Sequence, residues 1–251
     1  MRDHKLIRIF ITEELSTGTQ INLNKEQSHY IGTVMRHKIS DALLLFNGAD
    51  CEFKAEIISA TKNQMTVEVK NQTRTQLSSP NLTLLYSPVK NAKNEFIVQK
   101  ATEMGVKTIQ PVITDNTVKE GAKSERLGLV AIEAAEQCER LDVPEVFAIE
   151  KLDKILNNYK DHKIMFCDET GQGKPVAEAL RNEGGSNWAI LIGPEGGFSA
   201  RELAYLKTMN NVHPVGLGPR ILRAETAIIT AIALWQGAVG DFNTQPDFRS
   251  N

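Results

Sequence analysis

Two short stretches carry the least ordinary chemistry in this 251-residue chain. Gly193-Pro-Glu-Gly-Gly-Phe-Ser199 follows the apolar run Trp188-Ala-Ile-Leu-Ile192, and Leu217-Gly-Pro-Arg-Ile-Leu-Arg-Ala-Glu-Thr226 follows Val212-His-Pro-Val-Gly216. Gly193, Gly196 and Gly197 remove three Cβ atoms from one turn, which permits positive φ and lets main-chain groups approach a bound molecule. Pro194 fixes one φ and removes one donor. Ser199 followed by Glu202 is a capping-box spacing, so a helix should begin there. The second turn repeats the design with Gly216, Gly218 and Pro219 ahead of an Ala-, Ile- and Thr-rich helix. Two such turns at strand C-termini suit a ligand crevice in an open α/β sheet. Read singly, each is a tight strand-to-helix connection. Neither continues into Gly-Lys-Ser/Thr or contains Gly-x-Gly-x-x-Gly, which disfavours a P-loop nucleotidase or an ordinary dinucleotide fold.

The elements that position these turns lie in the second part of the chain. Strands are expected at Leu82–Tyr86, Thr108–Ile113, Glu145–Ile149 and Lys163–Cys167, and helices at Glu95–Met104, Ser124–Arg140 and Pro175–Arg181. Such alternation argues for a mostly parallel sheet covered by helices on both faces. The first part has a different rhythm. Short strands are expected at Leu6–Ile11, Ala42–Phe46, Glu52–Ser59 and Met65–Lys70, with a helix from Asn24 to Arg36. Asn24 with Gln27 makes a second capping box. Asn47-Gly48 is a hairpin signal, and a polar turn falls at Lys62-Asn-Gln64. These strands suggest a small barrel or strongly curled sheet over 1–72. The polar stretch 73–80 reads as a linker, 81–243 as the larger domain, and 244–251 as a disordered tail.

Composition narrows the classes. Apolar residues make up 41% and charged residues 24%, ordinary for a globular protein. The apolar runs are too short and interrupted to span a bilayer, and the N-terminus lacks a signal-peptide apolar region, so the cytoplasm is expected. Cys51, Cys138 and Cys167 are isolated, which gives no zinc spacing. Net charge is −2, and residues 1–80 carry 10 Lys/Arg against 9 Asp/Glu. Neither figure argues for RNA by itself, though a local basic patch can still bind it.

The two turns together resemble the signature pair of the RsmE family, 16S ribosomal RNA (uracil-N3) methyltransferases of the SPOUT superfamily. The resemblance covers most of the chain. Arg8 and Phe10, His29 with Val34-Met-Arg36, and Asn47-Gly48 before Glu52-Phe53 resemble the family's PUA-like RNA-binding β-barrel domain. Gln99-Lys-Ala-Thr-Glu103 and Glu133-Ala-Ala-Glu-Gln-Cys-Glu-Arg140 resemble its helical motifs. Asn116-Thr117 departs from it, standing where a basic and a small residue are expected.

The resemblance implies a C-terminal SPOUT-type domain with a deep trefoil knot wrapping S-adenosylmethionine, and a homodimer. The implied cofactor-binding residues are Cys167, Asp168, Glu169, Leu191, Ile192, Gly193, Glu195, Gly196, Gly197, Leu217, Gly218, Ile221, Leu222 and Arg223. The substrate implied is 16S rRNA within the small ribosomal subunit, with Arg8, Arg36, Lys90, Lys93, Lys100 and Arg140 as candidate RNA contacts. The sulfonium is already an activated methyl donor, so no metal is required. A neutral imide nitrogen is a poor nucleophile. Arg223 is the candidate cation that favours the uracil anion. Glu225, Glu195 or a water could accept the N3 proton. Equally, Glu225 could serve the helix dipole and Glu195 could anchor the turn. Two alternatives stay open: methylation of another RNA position (a ribose 2′-hydroxyl or tRNA), and a non-catalytic RNA-binding assembly protein.

Overall fold

The structure, a computed structural model, describes residues 6–61, 64–89, 92–117, 123–181, 183–185 and 187–245. Lys62 and Asn63 of the expected polar turn, Lys90, and the tail from 246 onward lie outside the described residues. The chain divides into two compact units. One holds the described residues up to Ser78 together with Ala135–Asp142, and the other holds Ser79–Ala134 and the described residues from Val143 to Gln245.

The first unit is a five-stranded sheet of β1 (Arg8–Phe10), β2 (Gln20–Asn22), β3 (Ala42–Phe46), β4 (Glu52–Ala60) and β5 (Met65–Arg74), in the order β1-β3-β4-β5-β2. All pairs are antiparallel except β1 with β3. Burial alternates along the long strands: Phe53, Ala55 and Ile57 on β4 and Met65, Val67 and Val69 on β5 are buried. That period of two is what a one-faced sheet requires. Three register shifts between β4 and β5 bend the pair. β5 continues to Arg74, so the start of the expected linker is strand. The helix expected over Asn24–Arg36 is shorter. α1 (Lys25–His29) has the anticipated capping box, but Tyr30–Val34 is a π-helical turn. Met35 caps it, and Arg36 follows with a φ of +61°.

The second unit contains β6 (Leu82–Tyr86), α2 (Ala92–Glu103), β7 (Thr108–Ile113), α3 (Ser124–Cys138, its last turn belonging to the first unit), β8 (Glu145–Val146) and β9 (Glu150–Lys151). There follow α4 (Leu152–Leu156), β10 (Lys163–Cys167), β11 (Lys174–Pro175), α5 (Val176–Ala179), β12 (Trp188–Ile192), α6 (Ala200–Thr208), β13 (Val212–Gly216) and α7 (Ala224–Ala238). The sheet order is β11-β13-β10-β12-β6-β7-β8, with β9 also on β7, and every pairing is parallel. β6 and β12 are buried throughout, as central parallel strands with both faces covered should be. Leu82, Leu84 and Tyr86 with Trp188, Ile190 and Ile192 pack in one cluster with α2, α3, α5 and α7. Leu85, Ala189 and Leu191 pack in another with α4, α6 and Phe198. Two helical layers therefore sandwich the sheet. Successive strands β12 and β13 lie on opposite sides of β10. That reversal is where an open α/β sheet forms its crevice.

Candidate active site

The loops after β10, β12 and β13 leave the C-terminal ends of three adjacent strands. The Asp168 backbone N–H donates to Val215 O at 2.9 Å, which binds the first loop to the base of the third. Asp168 then closes on its own loop: Oδ1 accepts from Thr170 N–H at 2.9 Å and Oδ2 from the Thr170 hydroxyl at 3.0 Å. This is an Asx-type turn. Burial pushes the Cys167 thiol up to about 12, so it stays a neutral, inert packing group. The Glu169 carboxyl is raised by lost hydration and then by the Asp168 charge, against the Phe198 N–H, which favours its ionised form.

The Gly193–Ser199 turn needs its glycines for close approach. A Cβ on Gly193 would stand 2.5 Å from the Phe198 ring. At Gly197 the φ is +68°, and a Cβ would overlap Glu169 Oε1. Gly197 N–H donates to Pro194 O at 2.9 Å, closing a β-turn around Glu195 and Gly196, both exposed. The expected capping box starts α6: Ser199 N–H donates to Glu202 Oε2 at 2.9 Å and Glu202 N–H to Ser199 Oγ at 3.2 Å. Phe198 packs edge-on against Phe166 at 5.1 Å between ring centroids. Leu191 and Ile192 are buried beneath the turn and pack into the two core clusters.

In the third loop Gly218 has φ +103°, and no atom lies within 4 Å of where its Cβ would be. Leu217 and Leu222 are half-buried, whereas Ile221 is 99% exposed. A loop with open space beside a glycine and a bare apolar side chain fits a flat, partly apolar ligand. Arg223 is exposed at the N-cap of α7. Glu225, in the first turn, meets Lys93 Nζ at 3.1 Å. Burial alone would raise its carboxyl. Its own backbone N–H, Lys93 and the Arg223 charge reverse that and hold it below the usual range.

The structure also brings in residues that the sequence motifs did not single out as ligands of the turn. Asn116, in the loop after β7, donates from Nδ2 to Gly196 O and Gly197 O, both at 3.0 Å. Its neighbour Asp115 accepts from Ser199 Oγ at 2.5 Å and from Arg201 at 2.9 Å. The only sequence signal at this place is the departure at Asn116-Thr117.

The candidate RNA contacts separate by environment. Arg8 is a correction: it is buried, its Nε donating to Glu52 Oε2 at 2.8 Å and its Nη atoms to the carbonyls of Ala135, Glu136 and Arg140. Arg140 is also mostly buried, its Nε 2.9 Å from Asp142 Oδ1. Both arginines are engaged within the first unit. Lys93 pairs with Glu225, and Lys100 with Glu103 at 2.7 Å. Arg36 is exposed. The first unit also carries a groove of about 730 Å³, whose lining includes Lys25, His29, His37 and Lys38, with Asp41 Oδ2 3.7 Å from His37 Nδ1. Among the described residues no cluster of His, Cys, Asp and Glu could hold a metal ion, and no helix is long and apolar enough to cross a membrane.

Comparison with known proteins gives two family matches: an RNA methyltransferase domain over residues 76–236 and an RNA methyltransferase PUA domain over residues 23–70. Ribosomal RNA small subunit methyltransferase E of Rickettsia conorii is 37% identical over 233 residues, spanning 91% of this chain and 94% of its own. The protein of that name from Buchnera aphidicola (strain APS) is 32% identical, spanning 96% and 97%. Among solved structures, ribosomal RNA small subunit methyltransferase E from Neisseria gonorrhoeae, bound to S-adenosylmethionine, superposes with a TM-score of 0.86 at 28% identity. That match covers 94% of this chain and 99% of the other. A putative methyltransferase from Legionella pneumophila, solved with the same cofactor, gives 0.84 at 31% identity over 95% and 100%.

Proposed function

From the premise that this chain belongs to the ribosomal RNA small subunit methyltransferase E family, we propose that it methylates N3 of a uridine in 16S rRNA. It is an S-adenosylmethionine-dependent rRNA methyltransferase. The observation that carries the reading is the meeting of three loops at adjacent strand ends. Asp168-Glu169, Gly193–Gly197 and Leu217–Arg223 leave β10, β12 and β13 side by side. We read them as a knotted cradle, with Gly196, Gly197 and Gly218 offering main-chain groups and Leu217, Ile221 and Leu222 offering apolar contact to the adenosine.

S-adenosylmethionine, when bound, supplies an activated methyl group. What remains for the chain is to align N3 in line with that group, to stabilise the uracil anion, and to accept the N3 proton. Arg223, exposed at the head of α7, is the cation assigned to the uracil carbonyl oxygen. Glu225 is held ionised and tied to Lys93, which suits it to orient the loop. Exposed Glu195 or a water then takes the proton. The groove with Lys25, His29, His37 and Lys38, and Arg36 beside it in sequence, is the RNA-docking face of the PUA domain. The lysine and arginine side chains of this face suit the phosphate backbone.

A second copy of the chain would cover the groove of about 480 Å³ between α2 and α7, where Phe96 is exposed. Light scattering at micromolar concentration tests this, and a monomer mass would exclude it. The cytoplasm, where ribosomal subunits reside, is the proposed compartment.

The decisive experiment is transfer of labelled methyl to small ribosomal subunits lacking the modification, followed by nucleoside mass spectrometry. The expected product is 3-methyluridine. A 2′-O-methylated nucleoside, or label only in tRNA, would overturn the assignment of the target atom or the target RNA.

A further inference from the structure

The Gly193–Ser199 turn contains two consecutive glycines, Gly196 and Gly197, at its crown. Glycine loses more backbone freedom on ordering than any other residue. Left alone, this crown would sample many shapes, and a ligand that needs one of them would bear the ordering cost. Something outside the turn must hold it.

The loop after β7 supplies the hold. Asn116 places Nδ2 at 3.0 Å from Gly196 O and at 3.0 Å from Gly197 O. A primary amide has two hydrogens on one nitrogen, so one side chain can serve both carbonyls. The loop that carries Asn116 is itself fixed. Thr117 Oγ1 lies 2.5 Å from Ser87 Oγ and accepts from Thr114 N–H at 2.7 Å. Ser87 N–H in turn donates to Ile192 O at 3.0 Å, at the root of the same turn. Asp115 secures the far end of the turn through Ser199 and Arg201, and its own N–H donates to Glu202 Oε1 at 2.9 Å.

The direction of these bonds has a geometric result. In a trans peptide the C=O and the following N–H point opposite ways. Pinning Gly197 O on Asn116 therefore aims Phe198 N–H to the other side, toward the Glu169 carboxyl in the loop after β10. Asn116 on one side and Glu169 on the other fix the plane of the Gly197–Phe198 peptide.

We propose that Asn116 is a positioning residue that presets the Gly193–Ser199 turn for S-adenosylmethionine by holding the Gly196 and Gly197 carbonyls. The proposal rests on the reading of this turn as part of the cofactor cradle. Asn116 makes no contact with the reacting atoms. Its effect is preorganisation, which appears as affinity because the ordering cost is met before binding.

The test is calorimetric titration of the full chain and its variants with S-adenosylmethionine, with melting temperatures measured alongside. Asn116→Asp keeps the shape but turns an acceptor toward two carbonyls, whereas Asn116→Ala removes donor and bulk. The expected result is about tenfold weaker binding for Asn116→Ala, the worth of one to two neutral hydrogen bonds, and weaker still for Asn116→Asp. Asn116→Gln, which keeps both hydrogens, should recover part of the loss. In turnover, KM for S-adenosylmethionine should rise while kcat at saturating cofactor and KM for the ribosomal subunit hold. A side chain that merely fills space would give the opposite order, with Asn116→Ala the worse. A direct RNA contact would raise KM for the subunit and leave cofactor affinity alone. Either result overturns the proposal. If Asn116→Asp does not fold, the Asn116→Ala and Asn116→Gln pair decides. Failure of the unmodified protein to bind the cofactor would overturn the cradle itself, whereas normal binding by every variant would overturn only the role of Asn116.

Discussion

Arg8 and Glu52 form a buried ion pair, Nε to Oε2 at 2.8 Å, with side chains 4% and 0% exposed. Two charges removed from water in this way are sustained only when their remaining hydrogen-bonding capacity is met. Here it is: Arg8 also donates to the carbonyls of Ala135, Glu136 and Arg140, and Glu52 Oε1 accepts from the Thr73 hydroxyl at 2.8 Å. Arg8→Ala should therefore destabilise the protein by roughly 3–5 kcal/mol, since it strands a buried carboxylate. Urea denaturation of single and double variants at Arg8 and Glu52 measures this. The double variant should be less damaged than the sum of the singles. An unchanged stability with weakened RNA binding would return Arg8 to the role its basic character suggests.

Gly197→Ala should weaken S-adenosylmethionine binding on two counts. The φ of +68° strains any residue with a Cβ, and that Cβ would collide with Glu169. A left-handed non-glycine residue costs about 1–2 kcal/mol, and displacing Glu169 adds to it. Gly218→Ala carries only the φ penalty, because the space around it is open. Cofactor affinities of the two variants should rank accordingly.

Arg223→Ala should lower kcat by about 10²–10³, the usual scale for losing one stabiliser of developing charge, with less effect on cofactor affinity. Single-turnover methyl transfer at saturating S-adenosylmethionine separates the two. A loss confined to cofactor binding would make Arg223 an element of the cradle and not of the chemistry.

Acid should loosen the turn through Asp115. The Arg201 guanidinium and then the Ser199 hydroxyl hold its carboxyl below the usual 3.8. A depressed carboxyl contributes stability that is complete above its unfolded value and is lost as pH falls through the folded one. The window thus lies below about pH 4.5, and the melting temperature of Asp115→Asn should fall less steeply there than that of the parent. Identical slopes would show that the cluster does not feed into stability.

Charge reversal at Lys25 and Lys38 in the groove of the first unit should weaken RNA binding evenly across sequences. It should also make the dependence on salt shallower, by about one unit of slope for each phosphate no longer neutralised. Filter binding at two or more salt concentrations reads both. An unaltered slope would remove this face from the RNA footprint.

Legibility in the sequence follows distance along the chain. Both capping boxes, Asn24 with Gln27 and Ser199 with Glu202, form as their three-residue spacing predicts. The alternation of strand and helix after residue 80 leads to the parallel sheet, because buried strands and amphipathic helices leave local periods. Arg8 misleads because a basic side chain near a terminus looks solvated. Its acceptors at Ala135, Glu136 and Arg140 lie more than a hundred residues away and have no local signature. Asn116 stands out in the sequence only as a departure, since its partners are two glycine carbonyls, which no side-chain pattern announces. The short elements β2, β9 and α4 escape a sequence reading because two to five residues are too few to show a period.

Among the described residues the first unit draws on two separated stretches of sequence, and Arg8 needs acceptors that lie in the second. Its consequence falls on biosynthesis. Chains emerge from the ribosome N-terminus first, and domains generally fold as they appear. Here the leading sheet can pair its strands early, yet Arg8 stays short of acceptors until Ala135–Asp142 has been made. The small module is thus translated first and completed late. For the same reason it cannot be cut out, or transplanted into another protein, as a single continuous piece of gene.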